Sequence, residues 1–557
     1  MQRSGISLAY IIILLFLDFT IKAQLLAFPE AQGFGKSAIG GRGGDVLFVT
    51  NLNDSGPGSL REACAASGPR TIIFTLGGTI TLDSTIQIMN AHITIAGQTA
   101  PGGGICIRMN PESTSGILQA TIAILADHVI IRGIRFRAGP NTAVANIQIH
   151  DCLDIWDGEH IILDHCSFTW GEDENIAIWS DSPNERPRKI TIQNSIIGQG
   201  LQKLDNGNIT RGFGMLVGGS TGADEVSIIN NLFIHNAQRN PLLKSEQSSV
   251  FELQNNVIYN YGFLGTDLSD DVKVNLLSNY YAPGNNTLRS RYEVLIQGDA
   301  SLYADGNVGP HRPSESFPEW DIVGFNGTIP PAAYSESPAP LNFQSNNPFT
   351  PIDNDISSAE EALNNIIVDM DVGANYRLDE SGGLLNNLDD VDEQLIRDII
   401  NNTGTTIFDT DIGSSVEYPN LEKGVASIDL DQDGMPDIWE EKCGLDPSNP
   451  ADRNQIAING YTHLENYLNG VNLLTTSVDD VSIENIKAYP NPSDGILHIV
   501  NNNSEKETII FYDNMGRKVY EAEINEELTE LNISMLRSGI YLMRNTSSNW
   551  FKKVVLR

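Results

Sequence analysis

His160-Ile-Ile-Leu-Asp-His-Cys-Ser-Phe168 and Lys189-Ile-Thr-Ile-Gln-Asn-Ser-Ile-Ile197 are two copies of one unit. Each opens with a short run of alternating apolar and polar residues, turns through small polar residues, and resumes with a second short run. A run of four or five positions is too short for a helix and suits a strand. The unit also occurs upstream as His128-Val-Ile-Ile-Arg-Gly-Ile-Arg-Phe-Arg137. Downstream it returns as Glu225-Val-Ser-Ile-Ile-Asn-Asn-Leu-Phe233, Val250-Phe-Glu-Leu-Gln-Asn-Asn-Val-Ile258 and Val274-Asn-Leu-Leu-Ser-Asn-Tyr-Tyr281. Copies spaced by roughly 25 to 35 residues form a solenoid. Asn recurs at one place in the unit, as Asn194, Asn231, Asn256 and Asn279. Asn tolerates the left-handed backbone of a tight turn, and stacked copies can hydrogen-bond along the solenoid. A β-sandwich of hairpins would favour Asn-Gly or Asp-Gly turns instead. The pattern predicts a parallel β-helix over about 45–310, with insertions leaving on one face.

Outside the repeats the chain changes character. The stretch from 312 to about 345 is rich in Pro, Ser and Asn and reads as loop. Helical periodicity appears in Ala359 to Val368 and in Val391 to Ile400. A Thr-Ser-Val-Asp-Asp linker near 475–480 precedes a small β-rich unit. At the N-terminus Arg3, the apolar stretch Ile6 to Phe19 and the Ala23–Gln24 junction read as a signal peptide, an apolar run short for a membrane span.

A chain of 557 residues calls for more than one core. It carries 35 basic and 71 acidic residues, a net charge of −36, which argues against nucleic acid as a partner. A polyanionic ligand would be repelled by that field unless local Arg, Lys or a bridging cation reversed the sign in its cleft. Five cysteines (Cys64, Cys106, Cys152, Cys166 and Cys443) fit no zinc spacing. They read as buried small hydrophobes with room for one disulfide at most.

Two constellations can carry chemistry. In Asp429-Leu-Asp431-Gln-Asp433-Gly434-Met-Pro-Asp437-Ile-Trp-Glu440, acids stand at positions 1, 3, 5, 9 and 12 with Gly at 6. That is the spacing of an EF-hand calcium loop. A structural calcium on Asp429, Asp431, Asp433, Asp437 and Glu440 is expected. The second constellation lies within the repeats, from Asp151-Cys-Leu-Asp154-Ile-Trp-Asp157 to Leu163-Asp164-His165 and Gly171-Glu172-Asp173-Glu174. In stacked coils, residues one turn apart come within about 4.8 Å, so acids of two coils can share a cation.

Leu163-Asp-His-Cys-Ser-Phe-Thr-Trp170 resembles the (Ile/Val)-Asp-His-Cys-Ser-Phe-Ser-Trp block of pectate lyases in polysaccharide lyase family 1. Gly40-Gly-Arg-Gly-Gly44, Val49 to Arg61, Ala96-Gly-Gln-Thr-Ala-Pro101, Val129 to Arg137, and Val372-Gly-Ala374 with Asp390-Val-Asp392 agree with that family in order, over roughly 30–405. The resemblance implies that Asp151 and Asp173 are calcium ligands. Relatives often place another acid where this chain has Ala177, and Glu174 is the expected substitute. Gln238-Arg239-Asn-Pro-Leu-Leu-Lys244 resembles the family's Arg-x-Pro-x-x-Arg block. Arg239 thereby takes the role of Brønsted base, and Lys244 stands where a substrate-binding Arg is usual. Arg211-Gly-Phe-Gly-Met-Leu-Val-Gly218 resembles a further cleft block, with Arg211 as a substrate-binding candidate. The resemblance makes the Asp164–His165 pair a structural element. Ala488-Tyr-Pro-Asn-Pro-Ser-Asp-Gly495, Phe511 to Lys518, Ser538-Gly-Ile-Tyr-Leu542 and the basic Lys552 to Arg557 end resemble the C-terminal sorting domain of type IX secretion cargo.

The expected fold is all-β: a right-handed parallel β-helix of pectate lyase type, a small calcium-loop module and a C-terminal β-sandwich sorting domain. The expected domains are a signal peptide (1–23), the β-helix with its extension (24–425), the calcium-loop module (426–472), a linker (473–483) and the sorting domain (484–557). The expected function is a secreted, monomeric pectate lyase using Ca2+ on an acidic plant or algal polysaccharide. Its other partner would be the type IX secretion machinery, with release or surface attachment to follow. The rivals are a pectin lyase, a lyase on another uronate polymer, and a non-catalytic carbohydrate-binding β-solenoid adhesin.

Overall fold

The computed structural model describes residues 25–471, apart from 114–117, 143–148, 183, 327–335 and 353–355. In the C-terminal region it describes 486–489, 493, 495–501, 507–512, 518–524, 528–536, 539–545 and 551–556. The expected signal peptide and linker lie outside the described residues. The chain divides into two compact units, 1–472 and 473–557.

Short strands in the first unit stack in parallel as three sheets of a β-helix. One coil shows the design: Glu159–Asp164 in the second sheet, Ser167–Thr169 in the third, then Glu174–Trp179 in the first. Each strand pairs in register with its counterpart in the next coil, such as Ile161 with Ile190, Phe168 with Ile197 and Ile176 with Met215. Because neighbours are parallel and in register, like side chains pile up inside the tube. Ile107, Phe136, Phe168, Ile197, Phe233, Ile258 and Tyr281 form one such file, all buried. The Phe136 and Phe168 rings stack at 5.0 Å.

The turns between second and third sheets are held by an asparagine ladder. Asn256 Oδ1 accepts the Asn231 N–H at 3.0 Å and its side-chain amide at 3.1 Å. Asn279 Oδ1 does the same for Asn256, and Asn307 Oδ1 for Asn279. Asn194 is not a rung, which corrects the sequence reading. Its neighbour Ser195 donates its N–H to Asn231 Oδ1 at 2.9 Å, while Asn194 takes the left-handed position (φ 50°) just before the rung. Asn230, Asn255 and Ser278 occupy the same left-handed position in later coils. The turn needs two special residues, and an Asn-Asn pair serves both.

The segment after 312 is more ordered than its composition suggests. A helical turn, Glu319–Ile322, leads into Val323–Phe325, which adds a strand to the first sheet beside Val294–Gln297. Helix Asp390–Asn401 then seals the third sheet. The buried guanidinium of Arg137 reaches Asp389 at 2.7 Å and Asp392 at 3.0 Å, while Leu395 and Ile396 pack on Ile196, Leu232 and Val257. All five cysteines are free thiols, so the single disulfide allowed by the sequence is not formed. Cys152 buries its sulfur against the Thr169 carbonyl, and Cys166 against that of Asp164.

The acidic loop at 429–440 packs on the second sheet, where Gly434 approaches Val46 and Ile73. Arg42 pairs with Glu465 at 2.6 Å, and Arg132 donates to Asn469 at 2.7 Å. The second unit holds a three-stranded antiparallel sheet (Ile486–Tyr489, Ile496–Asn501, Leu528–Asn532) and a four-stranded one (Glu507–Tyr512, Lys518–Ile524, Gly539–Asn545, Phe551–Leu556). Leu497, Ile499, Phe511, Met543 and Val554 are among its core residues. Among the described residues no helix is long and apolar enough to cross a membrane.

Candidate active site

The first sheet carries the cleft. Asp151 and Asp154 lie on Ile149–Asp157; one coil on, Asp173 precedes and Glu174 opens the strand Glu174–Trp179. Carboxylate oxygens of Asp151, Asp173 and Glu174 come within 4.8 Å of one another. Two backbone and side-chain donors fix the group: Glu174 N–H to Asp151 Oδ1 at 3.1 Å, and Trp156 Nε1–H to Asp154 Oδ2 at 3.1 Å. Burial, then the charges of Asp154 and Asp173, push Asp151 well above the usual carboxylate range. Burial also lifts Asp154 to about 7. Carboxylates crowded in this way are stable when ionised only beside a cation.

The cation present is Arg239. Its guanidinium pairs with Glu174 and lies over the Phe213 ring, 3.7 Å from the centroid. The register explains the reach, because Phe213 stands between Glu174 on one side and Gln238 on the other. Arg239 has a left-handed backbone (φ 61°), and its carbonyl accepts the Met215 N–H at 2.8 Å. Gly214 is required beneath it, since a Cβ there would lie 2.5 Å from the Arg239 oxygen. Asn236 and Asn240 brace the turn: Asn236 Nδ2 donates to Asn240 Oδ1, and Asn240 Nδ2 to Leu264 O, both at 3.0 Å. Burial lowers the Arg239 pKa from its ordinary value, against the opposing pull of Asp173, Asp267 and Asp151.

Arg211 ends a hairpin (Gln202–Asp205, Asn208–Arg211) and donates to the Glu172 carbonyl at 3.2 Å, on the same rim as the acids. Lys244 is set apart. Its backbone pairs with Gly218, which pairs with Trp179 rather than with Glu174, so Lys244 stands further along the strand. His165 is remote in another sense. It belongs to the turn between second and third sheets, with Nδ1 2.9 Å from Asp164 and Nε2 3.2 Å from Asp371. Burial opposes its charge, but the Asp164 carboxylate and both hydrogen bonds raise its pKa to about 9.

Two residues of the site were missed in the sequence. Asp267, on the next strand of the sheet, receives Gln297 Nε2 on both carboxylate oxygens at 2.6 Å and acts electrostatically on Arg239. Against the burial that raises the Glu172 pKa, Lys203, on the same hairpin as Arg211, adds its charge to that of Arg211 in lowering it. Neither lies in a recognisable motif; strand register alone brings them in.

The loop at 429–440 gathers a second acid cluster. Asp429, Asp431 and Asp433 meet within 4.8 Å, and Asp433, Glu440 and Asp452 do likewise. Asp452 was not expected. Asp437 was expected and joins neither group: its Oδ1 accepts the Leu430 N–H at 2.8 Å, which closes the loop instead. Gly434 has φ 95° and donates to Asp429 Oδ2 at 2.9 Å. Both oxygens of Asp431 and Glu440, with Asp433 Oδ2 and Asp452 Oδ1, are buried without a hydrogen-bond partner. Burial, then the neighbouring acids, lift Glu440 to about 8. Buried, converging, unsatisfied hard oxygens suit Ca2+. The cleft acids offer the same donor type, and Asp154 Oδ1 is likewise buried and unpartnered.

A parallel β-helix whose first sheet sets a half-buried arginine against an acid cluster belongs among the polysaccharide lyases. More narrowly, the chain belongs to the pectate lyase family. It is 33% identical over 467 residues to the "Probable pectate lyase C" of Aspergillus flavus, covering 82% of this chain and 96% of that one. It is 34% identical over 464 residues to the protein of the same name from Emericella nidulans, covering 80% and 93%. The structure of pectate lyase Bsp165PelA from Bacillus sp. N165 in complex with trigalacturonate matches at 16% identity and a TM-score of 0.34, over 59% of this chain and 95% of that one. Residues 487–557 match the family described as "Secretion system C-terminal sorting domain".

Proposed function

We propose that the protein is an exported pectate lyase that cleaves polygalacturonate by calcium-assisted β-elimination. The observation that carries the reading is the meeting of Arg239 with Glu174 beside Asp151 and Asp173. Arg239 takes the C5 proton of a galacturonate unit. The electron pair left at C5 forms the C4=C5 double bond as the C4–O bond breaks, and the leaving oxygen is protonated by water. Calcium held by Asp151, Asp173 and Glu174 supplies neutralisation of the substrate carboxylate, which makes the C5 proton more acidic. Arg211 and Lys244 bind other carboxylates of the chain, and the overall charge of −36 makes such local cations necessary.

A guanidinium is an ineffective base while protonated. Burial favours the neutral form, whereas the charges of Asp173, Asp267 and Asp151 favour the charged one. A cation bound to Asp151 and Asp173 therefore helps to free the base, and the rate rises with pH into the alkaline range. A second calcium on Asp429, Asp431, Asp433, Glu440 and Asp452 is structural. The C-terminal domain directs the protein to type IX export, followed by release or surface attachment.

The test is incubation with polygalacturonate and with methyl-esterified pectin, with and without chelator, followed by absorbance of the conjugated product. Calcium-dependent product from polygalacturonate is expected. Product from the ester alone, insensitive to chelator, indicates a pectin lyase. Binding without product from any uronate polymer indicates an adhesin.

A further inference from the structure

Ala177 leaves a gap in the cleft, and a neighbouring coil fills it. Asp154 pairs in register with Ala177, between the pairs Leu153–Ile176 and Ile155–Ile178. In-register parallel partners point to the same side of a sheet about 4.8 Å apart. The Asp154 carboxylate therefore has access to the space that the short Ala177 side chain leaves open. Asp154 is 5% exposed and Ala177 8%, so both are shielded from bulk solvent. The Trp156 indole holds Asp154 Oδ2, which leaves Oδ1 buried with no hydrogen-bond partner. Asp154 also contacts the Asp151 carboxylate directly and feels the charge of Asp173. Two neighbouring acids of one strand, one of them with an unsatisfied buried oxygen, form an incomplete polar network, which a bound cation would complete.

We propose that Asp154 is a further carboxylate ligand of the cleft calcium, supplied across the coil boundary at the position Ala177 leaves vacant. The inference rests on the pectate lyase reading for its cation but not for its geometry. Glu174 stays in the ligand set, because its carboxylate meets those of Asp151 and Asp173 within 4.8 Å, so Asp154 adds to that set and does not replace Glu174.

The test uses the full chain and two readouts. Calcium binding is measured by calorimetry, with Asp433→Asn separating the heat of the loop from that of the cleft. The calcium concentration giving half-maximal lyase rate is measured in parallel. Asp154→Asn keeps the size of the side chain and is expected to weaken cleft calcium about tenfold or more by both measures. Asp157→Asn, the same charge change three residues along the strand, is expected to leave both where they were. The decisive variant moves the acid: Asp154→Ala with Ala177→Asp recovers the affinity that Asp154→Ala loses. Unchanged calcium affinity in Asp154→Asn, or no recovery in the swap with the fold intact by circular dichroism, overturns the proposal. Wild-type protein that binds calcium in the cleft yet cleaves no uronate polymer overturns the enzyme reading and leaves this one standing.

Discussion

The loop at Asp429–Glu440 and the cleft around Asp151 use the same carboxylates in different constructions. The loop draws its donors from twelve consecutive residues, with one addition, Asp452. The cleft draws on two coils and opposes them with an arginine from beyond a third strand. A local turn needs only its own backbone, chiefly Gly434 at φ 95°, to aim its oxygens. The cleft needs every rung between its parts to be in register. The loop is therefore a unit that tolerates change elsewhere, whereas the cleft inherits every defect in the stack.

The largest contrast should come from Arg239→Ala. Loss of a positioned base costs about 10²- to 10⁴-fold in kcat, while the rise of melting temperature with calcium is expected to stay as in the wild type. A lyase rate within tenfold of wild type would remove Arg239 from the chemistry. Next in size is Asp433→Asn. Calcium at a hundred times its dissociation constant stabilises a fold by about 2.7 kcal/mol. This variant is expected to lose most of that thermal response while its activity, assayed below melting, still depends on calcium. If chelator destabilises variant and wild type equally, the loop is not the stabilising site.

The stack itself can be probed by pH. His165 has a folded pKa of about 9, above the ordinary value near 6.5. Its contribution to stability is complete below pH 6.5 and is lost as pH rises through 9. Asp371 is 62% exposed, so screening reduces the effect to on the order of 2 kcal/mol. Urea unfolding of His165→Asn should lack the downward slope that the wild type shows across that window. Smallest is Asn256→Ala, which leaves the Asn231 amides and the Asn279 carboxamide oxygen short of partners. A loss of about 1–2 kcal/mol is expected, with the loop's calcium affinity unchanged. An unaltered denaturation midpoint would show that the ladder is ornamental.

The same distinction governs how much could be read before folding. Repetition of β-branched runs and Asn turns was enough for the β-helix, because each coil satisfies the same local rules. Arg239, Asp151, Asp173 and Glu174 came from motif blocks, and the structure brings them together. Asp154 stood in the acid constellation without a role of its own, and Asp267 and Lys203 were not named, because nothing in the order of residues says which acid or base lies opposite which. Ser195 in place of Asn194 shows a one-residue offset that only hydrogen bonding reveals. Asp437 fits the spacing yet spends its oxygen on Leu430.

Alone, the amino-acid order determined the solenoid, the acidic loop, the sorting domain and the chemistry class of the cleft, because each is written in contiguous residues obeying local backbone preferences. Tertiary structure decided which carboxylates share a site, which oxygens remain unsatisfied, and that Arg239 lies against Glu174 while Lys244 lies further along the sheet. Those relations depend on register between strands far apart in the chain, and register is settled by packing of the whole stack.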